Sequence, residues 1–60
     1  MQGIEEVTQN YGYKMERNIY GHVFYAVYRV EYGRARLVTI CGTKEQARGE
    51  CFLREEWGRD

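Results

Sequence analysis

The sequence predicts a small α+β domain in which a three-stranded antiparallel sheet packs against one C-terminal helix. Two observations carry this prediction. Residues 23–46 read as strand, tight turn, strand and helix start, VFYAVYRVEYGRARLVTICGTKEQ. Before them, residues 11–16 alternate between apolar and polar side chains, which is the period of a half-buried strand. We therefore expect a single βββα domain over residues 11–58, preceded by a flexible N-terminal arm over residues 1–10.

The arm and the first strand differ in their hydrophobic pattern. In residues 1–10 only Ile4 and Val7 are sizeable hydrophobes after the initiator, so a loose arm or one short helical turn is expected there. From Tyr11 the alternation begins, with Tyr13 and Met15 on the same face as Tyr11. Residues 18–21, Asn-Ile-Tyr-Gly, then supply a turn between the first two strands.

The second and third strands form the predicted hairpin, and its register can be argued from the turn. A turn with Gly33 and Arg34 at its centre would be a type II′ turn and would set Tyr28 opposite Thr39. A turn centred on Tyr32 and Gly33 would instead set Arg29 opposite Arg36. Because like charges directly opposite each other are destabilising, the sequence favours the Gly33-Arg34 turn.

The helix start is the clearest local signal. Thr43 is an N-cap candidate, and Gln46 three residues later completes a capping-box pattern. The helix is predicted from about Lys44 to Trp57, with Gly58 as its stop. At helical spacing Ala47 and Cys51 share one face and are expected in the core, while Leu53 or Trp57 is expected to lie outside it.

The favoured register divides the sheet into two unlike faces. The expected core face carries Tyr11, Tyr13, Met15, Phe24, Ala26, Tyr28, Val30, Leu37, Thr39 and Cys41. The expected exposed face carries Lys14, Glu16, Val23, Tyr25, Val27, Arg29, Glu31, Arg36, Val38 and Ile40. One helix cannot cover both faces of a sheet, so the second face is predicted to be an apolar and aromatic patch with a basic rim. Exposed patches of this kind mark interaction sites.

Composition and charge indicate which kinds of partner and which location to expect. The chain has nine basic and nine acidic side chains and a formal net charge of zero. Neutrality argues against broad neutralisation of phosphates, although residues 14–36 carry five basic and two acidic side chains. No run of about 20 apolar residues is present, and the N-terminus lacks the pattern of a signal peptide. We therefore expect no membrane partner and a cytoplasmic location.

The residue types needed for catalysis or metal binding are sparse. Cys41 and Cys51 have no companion cysteines or histidines at zinc-ligand spacing. They are expected to be reduced core thiols, with a strand-to-helix disulfide as the alternative. His22 is the only histidine, and Glu55 and Glu56 point about 100° apart on a helix. We expect no enzymatic activity, no cofactor, no metal site and no small-molecule substrate.

Three resemblances follow from these patterns. A three-stranded meander and one helix, with a Gly33-Arg34 hairpin and a G-T-x-x-x-A helix entry at residues 42–47, resembles the DNA-binding modules of the integrase arm-binding and AP2 type. In those families the exposed sheet face enters the major groove. The resemblance implies that DNA contacts would come from Lys14, Tyr25, Arg29 and Arg36, with Arg34 near phosphate.

The run Y-x-V-x-x-V-E-Y-G-R at residues 25–34 also looks like the second half of a double-stranded-RNA-binding domain, without the first helix of such domains. As a class, the chain is similar to very small, Tyr-rich proteins of phages and mobile elements that inhibit a host protein. These resemblances imply binding through a surface and not through a pocket.

The sequence therefore predicts a non-enzymatic binding module, a small regulator or inhibitor of the phage or mobile-element type. Its partner would be a protein, or a second copy of the chain, that contacts the exposed sheet face. DNA binding through the same face is the alternative. The predicted partner-binding residues are Tyr25, Val27, Arg29, Arg36, Val38, Ile40, Lys14, Arg34 and Trp57.

Overall fold

The computed structural model describes residues 3–58, which form one antiparallel sheet and one helix. The elements are β1 (Glu5–Glu6), β2 (Tyr11–Arg17), β3 (Val23–Glu31), β4 (Arg34–Cys41) and α1 (Lys44–Trp57). The strands are ordered β1-β2-β3-β4 across the sheet, and α1 packs on one side of it. The α+β class with a C-terminal helix is confirmed, but the sheet has four strands and not three.

The additional strand, β1, lies in the segment for which the sequence predicts an arm. Glu5 pairs with Tyr13 and Glu6 pairs with Gly12. This approach requires a glycine, because a Cβ atom on Gly12 would stand 2.6 Å from the carbonyl oxygen of Glu5 and 2.8 Å from a methyl group of Ile4. A strand of two glutamates has no hydrophobic alternation, so its sequence carries no strand signal.

The β3–β4 hairpin turns at Tyr32 and Gly33, so the predicted Gly33-Arg34 turn is wrong. Tyr32 and Gly33 both have positive φ angles, 53° and 76°, as a type I′ turn requires. Arg29 therefore does lie opposite Arg36. The like charges are tolerated because Glu31 Oε1 lies 2.9 Å from the Arg29 guanidinium, which also lies 5.8 Å from the centre of the Tyr11 ring.

A β-bulge at Val38 completes the difference between the predicted and the observed faces. Tyr28 pairs with Leu37 whereas Val27 pairs with Thr39, so Val38 is an extra residue in β4. Relative to the expected faces, β3 is rotated so that Val27 points toward the helix and Tyr28 points away from it. In β4 Leu37 moves to the open side, and Arg36 and Val38, both predicted on the exposed face, lie on the helix side. Thr39 and Cys41 lie on the helix side as predicted.

The helix begins and ends where the sequence predicts. The Thr43 hydroxyl accepts a hydrogen bond of 3.1 Å from the backbone N–H of Gln46, and the Gly58 N–H donates to the carbonyl of Arg54. Its buried side chains are Ala47 and Cys51, as expected from their spacing. The core cluster consists of Tyr11, Tyr13, Val27, Ala47 and Cys51.

The last turns of the helix are tied to the loop that precedes β2. The Glu55 carboxylate accepts hydrogen bonds from the backbone N–H of Asn10, at 2.9 Å, and from its side-chain amide, at 3.3 Å. The Asn10 carbonyl in turn accepts from the N–H of Val30. These bonds link the helix, the β1–β2 loop and β3 at one end of the domain.

We expect two glycine substitutions to change stability in opposite directions. Gly12→Ala should lower the free energy of unfolding by about 1 to 3 kcal/mol, because the new methyl group would collide with the backbone of β1. Gly49→Ala should raise it by about 1 kcal/mol, because Gly49 is helical and has open space around the position of a Cβ atom. Urea unfolding of both variants measures the two effects. A neutral Gly12→Ala would contradict the close β1–β2 contact.

A second test concerns the hairpin turn. Tyr32→Asn should raise the free energy of unfolding by about 1 kcal/mol, because asparagine tolerates positive φ better than tyrosine and Asn-Gly is the preferred type I′ pair. The Tyr32 ring is 97% exposed, so its removal costs no core packing. Tyr20→Asn is the control, since Tyr20 is also exposed but is not among the positive-φ residues. Thermal unfolding that showed Tyr32→Asn to be destabilised would contradict this turn.

Candidate functional site

The candidate functional site is the face of the sheet opposite the helix, which we call the open face. No helix or strand of residues 3–58 lies over it. By strand pairing, the open face carries Glu6, Gly12, Lys14, Glu16, Phe24, Ala26, Tyr28, Val30, Ala35, Leu37 and Ile40. Its centre is apolar and aromatic, and its charged residues lie on β1 and β2.

The Tyr28 ring lies flat on the open face. The Tyr28 hydroxyl donates a hydrogen bond of 3.3 Å to a carboxylate oxygen of Glu16, which pairs with Phe24 and not with Tyr28. To reach Glu16 the ring must pass over Ala26, and Ala26 is accordingly only 2% exposed. Partial burial and the nearby Glu16 carboxylate raise the pKa of Tyr28. The ring is held in place and gives the centre of the face a flat surface.

The most exposed apolar side chains of the open face are on β4. Leu37 is 56% exposed and Ile40 is 60% exposed. Ile40 also borders a groove between β4 and the helix, whose opposite wall includes Leu53. Apolar surface therefore continues from the open face around the edge of β4 to the helix.

Three of the predicted binding residues are in the core and not on the open face. Val27 is fully buried, and Tyr25 and Val38 pack against the core cluster. Tyr25 and Val27 were assigned to the wrong face because β3 pairs with β2 so that Val27 lies opposite Tyr13 and shares its face. Val38 was assigned wrongly because the bulge directs it toward the core. The Tyr25 ring instead meets the Tyr13 ring edge to face, with 6.0 Å between their centres.

The predicted arginines gather at the end of the β3–β4 hairpin, on the side of the sheet that the helix occupies. Arg29, Arg34 and Arg36 line a shallow depression there, together with Glu31 and Tyr32. Arg29 is engaged by Glu31 and by the Tyr11 ring. The arginines are thus close to one another, but they do not form the rim of the open face.

The remaining predicted residues have separate positions. Lys14 and Ile40 are on the open face, as predicted. Trp57 is 66% exposed in the last turn of the helix. The sequence interpretation assigned Phe24, Tyr28 and Leu37 to the core. The sequence carries no clear signal for this exchange, because both faces of β3 are apolar.

The two cysteine thiols of the described residues lie in or beside the core. Within residues 3–58 no group of three or more His, Cys, Asp or Glu side chains is placed to hold a metal ion. Cys41 and Cys51 are free thiols. Burial, aided by the neighbouring Cys41, raises the pKa of Cys51 to about 11, and burial also raises the pKa of Cys41. Neither cysteine is therefore an activated nucleophile.

The Tyr13 side chain links β2 to β1. Its hydroxyl donates a hydrogen bond to a carboxylate oxygen of Glu5. This bond, followed by desolvation and the negative charge of Glu5, raises the pKa of Tyr13. This hydrogen bond joins β1 to β2 on the helix side of the sheet.

The single helix among residues 3–58 is not long and apolar enough to cross a membrane. Comparison of the chain with protein-family models, with curated proteins and with solved structures gives no match.

The two thiols give a direct test of the packing beneath the helix. We expect Cys51 in the native protein to react with a thiol–disulfide reagent on the order of 100-fold more slowly than free cysteine, because its pKa is raised to about 11 and only the thiolate reacts. Peptide mapping of the labelled sites would follow each cysteine separately. In denaturant both should react at the rate of free cysteine, and fast labelling of native Cys51 would contradict its burial.

Proposed function

We propose that the chain is a non-enzymatic binding module that contacts a protein partner through the open face. The observation that carries the proposal is the uncovered apolar centre of that face, with Leu37 and Ile40 more than half exposed. A partner that covers these side chains removes their apolar surface from water, and this removal drives association.

Rigidity supports the same proposal. The open face is built on paired strands, and the Tyr28 ring is held by the Glu16 carboxylate. A surface that is ordered before binding loses little conformational entropy when a partner covers it. Aromatic residues are also enriched at the centres of protein interfaces.

In this proposal the domain acts as a small regulator or inhibitor of the phage or mobile-element type, by covering a surface of its partner. Such action needs no enclosed site, and the depressions on residues 3–58 are open to solvent. We also propose a cytoplasmic setting, in keeping with two free thiols.

DNA is the alternative partner, and the charges on the open face favour it less. Lys14 shares the face with Glu6 and Glu16, whereas Arg29 and Arg36 lie on the helix side. A sheet face placed in the major groove would bring these carboxylates toward phosphates. DNA binding by this chain would instead depend on the arginines at the end of the hairpin.

The experiment uses two isoleucines as a matched pair. Ile40 is on the open face and Ile19 is in the β2–β3 turn, 60% and 91% exposed respectively. The full chain is immobilised, and proteins retained from an extract of the cells that encode it are identified and then titrated in purified form. Ile40→Asp should weaken binding by about tenfold or more, whereas Ile19→Asp should leave it within about twofold of the unaltered chain.

Equal binding by the two variants would contradict the proposal. A duplex oligonucleotide is titrated in parallel at several salt concentrations. Binding that falls steeply with salt, and that is lost in Arg36→Ala but not in Ile40→Asp, would favour the DNA alternative.

A further inference from the structure

We propose that the open face is the interface of a homodimer in which a second copy of this chain stacks its own open face against the first. The inference rests on the proposed function, because it assumes that the open face makes protein contacts, and it names the partner. Four features of the structure support it: the order of side chains along the face, their charges, the shape of the β4 edge and the area of the sheet.

The order of side chains makes the open face self-complementary. Strand pairing places the open-face residues at four successive levels along the strands. These are Phe24 with Glu16, then Ala26 with Lys14 and Ile40, then Tyr28 with Gly12 and Leu37, and finally Val30 with Ala35. Consider a two-fold axis between the stacked sheets, perpendicular to the strands and level with Val27. It places Ile40 over Leu37 of the second copy and Phe24 over Val30 of the second copy. The two Tyr28 rings meet near the axis, so apolar groups meet apolar groups throughout the centre.

The charges agree with the same arrangement. The axis places β2 over β2 of the second copy, so Lys14 lies over Gly12 of the second copy. Gly12 is the strand partner of Glu6 in β1. Lys14 of each copy then meets Glu6 of the other at the rim of the interface, where opposite charges favour the correct orientation. The formal net charge of zero also means that the copies do not repel each other at long range.

The β4 edge is poorly suited to the other common route to a dimer, which is pairing of edge strands. Arg34 and Arg36 lie on this edge strand, and Val38 forms a bulge in it. Charged side chains and bulges are devices that protect an edge from further pairing. The open face carries neither in its apolar centre, so stacking of faces is favoured over extension of the sheet.

The area of the face indicates how strong the dimer should be. Strands β2, β3 and β4, spaced about 4.8 Å apart and rising about 3.4 Å per residue, present on the order of 400 Å² per copy. A buried total on the order of 800 Å² is below the range of stable specific interfaces and is typical of weak ones. The dimer should therefore be weak and its population should depend on protein concentration.

The test is sedimentation velocity on the full chain from micromolar to near-millimolar concentration. We expect the 7.2 kDa monomer to give way to a dimer as concentration rises. Ile40→Asp and Leu37→Asp should each raise the dissociation constant by about tenfold or more, while Ile19→Asp should dimerise like the unaltered chain. A monomer at every concentration would overturn the proposal, and so would undiminished dimers of both open-face variants.

Two further measurements keep the test decisive. The thermal midpoint of the unaltered chain should rise with concentration, because a dimer stabilises the folded state by mass action. Lys14→Glu should weaken the dimer, and adding Glu6→Lys should restore it. A concentration-independent midpoint, or a double variant weaker than Lys14→Glu alone, would overturn the stacking described above.

Different experimental results would contradict the homodimer and the proposed function. If the chain is monomeric but Ile40→Asp still releases a captured protein, the homodimer is wrong and the proposed function stands. If the chain dimerises through a surface unaffected by Ile40→Asp and captures nothing through the open face, both are wrong.

Discussion

The packing of Val27 against Ala47 and Cys51 determines the rest of the structure. Val27 is fully buried between the helix and the tyrosines of β2. Because the helix contributes only these two small side chains to the core, it lies close to the sheet and leaves no room for a larger neighbour. Once Val27 points toward the helix, the alternation of a strand directs Phe24, Tyr28 and Val30 to the other side. The composition of the open face follows from this one contact.

The register of the hairpin illustrates how magnitudes decide between competing effects. Setting Arg29 opposite Arg36 costs on the order of a few tenths of a kcal/mol, and Glu31 and the Tyr11 ring offset that cost. The type I′ turn at Tyr32 and Gly33 has the twist that the two strands need. A weak electrostatic penalty at the surface therefore does not set the register when the geometry of the turn opposes it.

Much of the fold could be predicted from sequence because its signals are local. The N-cap at Thr43, the helical spacing of Ala47 and Cys51, and the alternation from Tyr11 depend on neighbours in the chain, and all were confirmed. The faces of β3 could not be predicted in the same way, because both of its faces are apolar and hydrophobic alternation cannot distinguish them. Strand β1 can approach β2 because Gly12 has no side chain. A single glycine of this kind gives no hydrophobic pattern from which the strand could be predicted. The face opposite the helix was therefore assigned the wrong members from both β3 and β4.

The bulge at Val38 separates β4 into two halves whose alternation is out of phase. On its C-terminal side the strand has its helix-facing residues at odd positions, and on its N-terminal side at even positions. Deleting Val38 would remove the extra residue and restore regular alternation, because Leu37 and Thr39 would keep Tyr28 and Val27 as their partners. The arginines would stay on the helix side, and Leu37 and Ile40 would stay on the open face. One codon could thus be gained or lost at this point without exchanging the two faces of the strand.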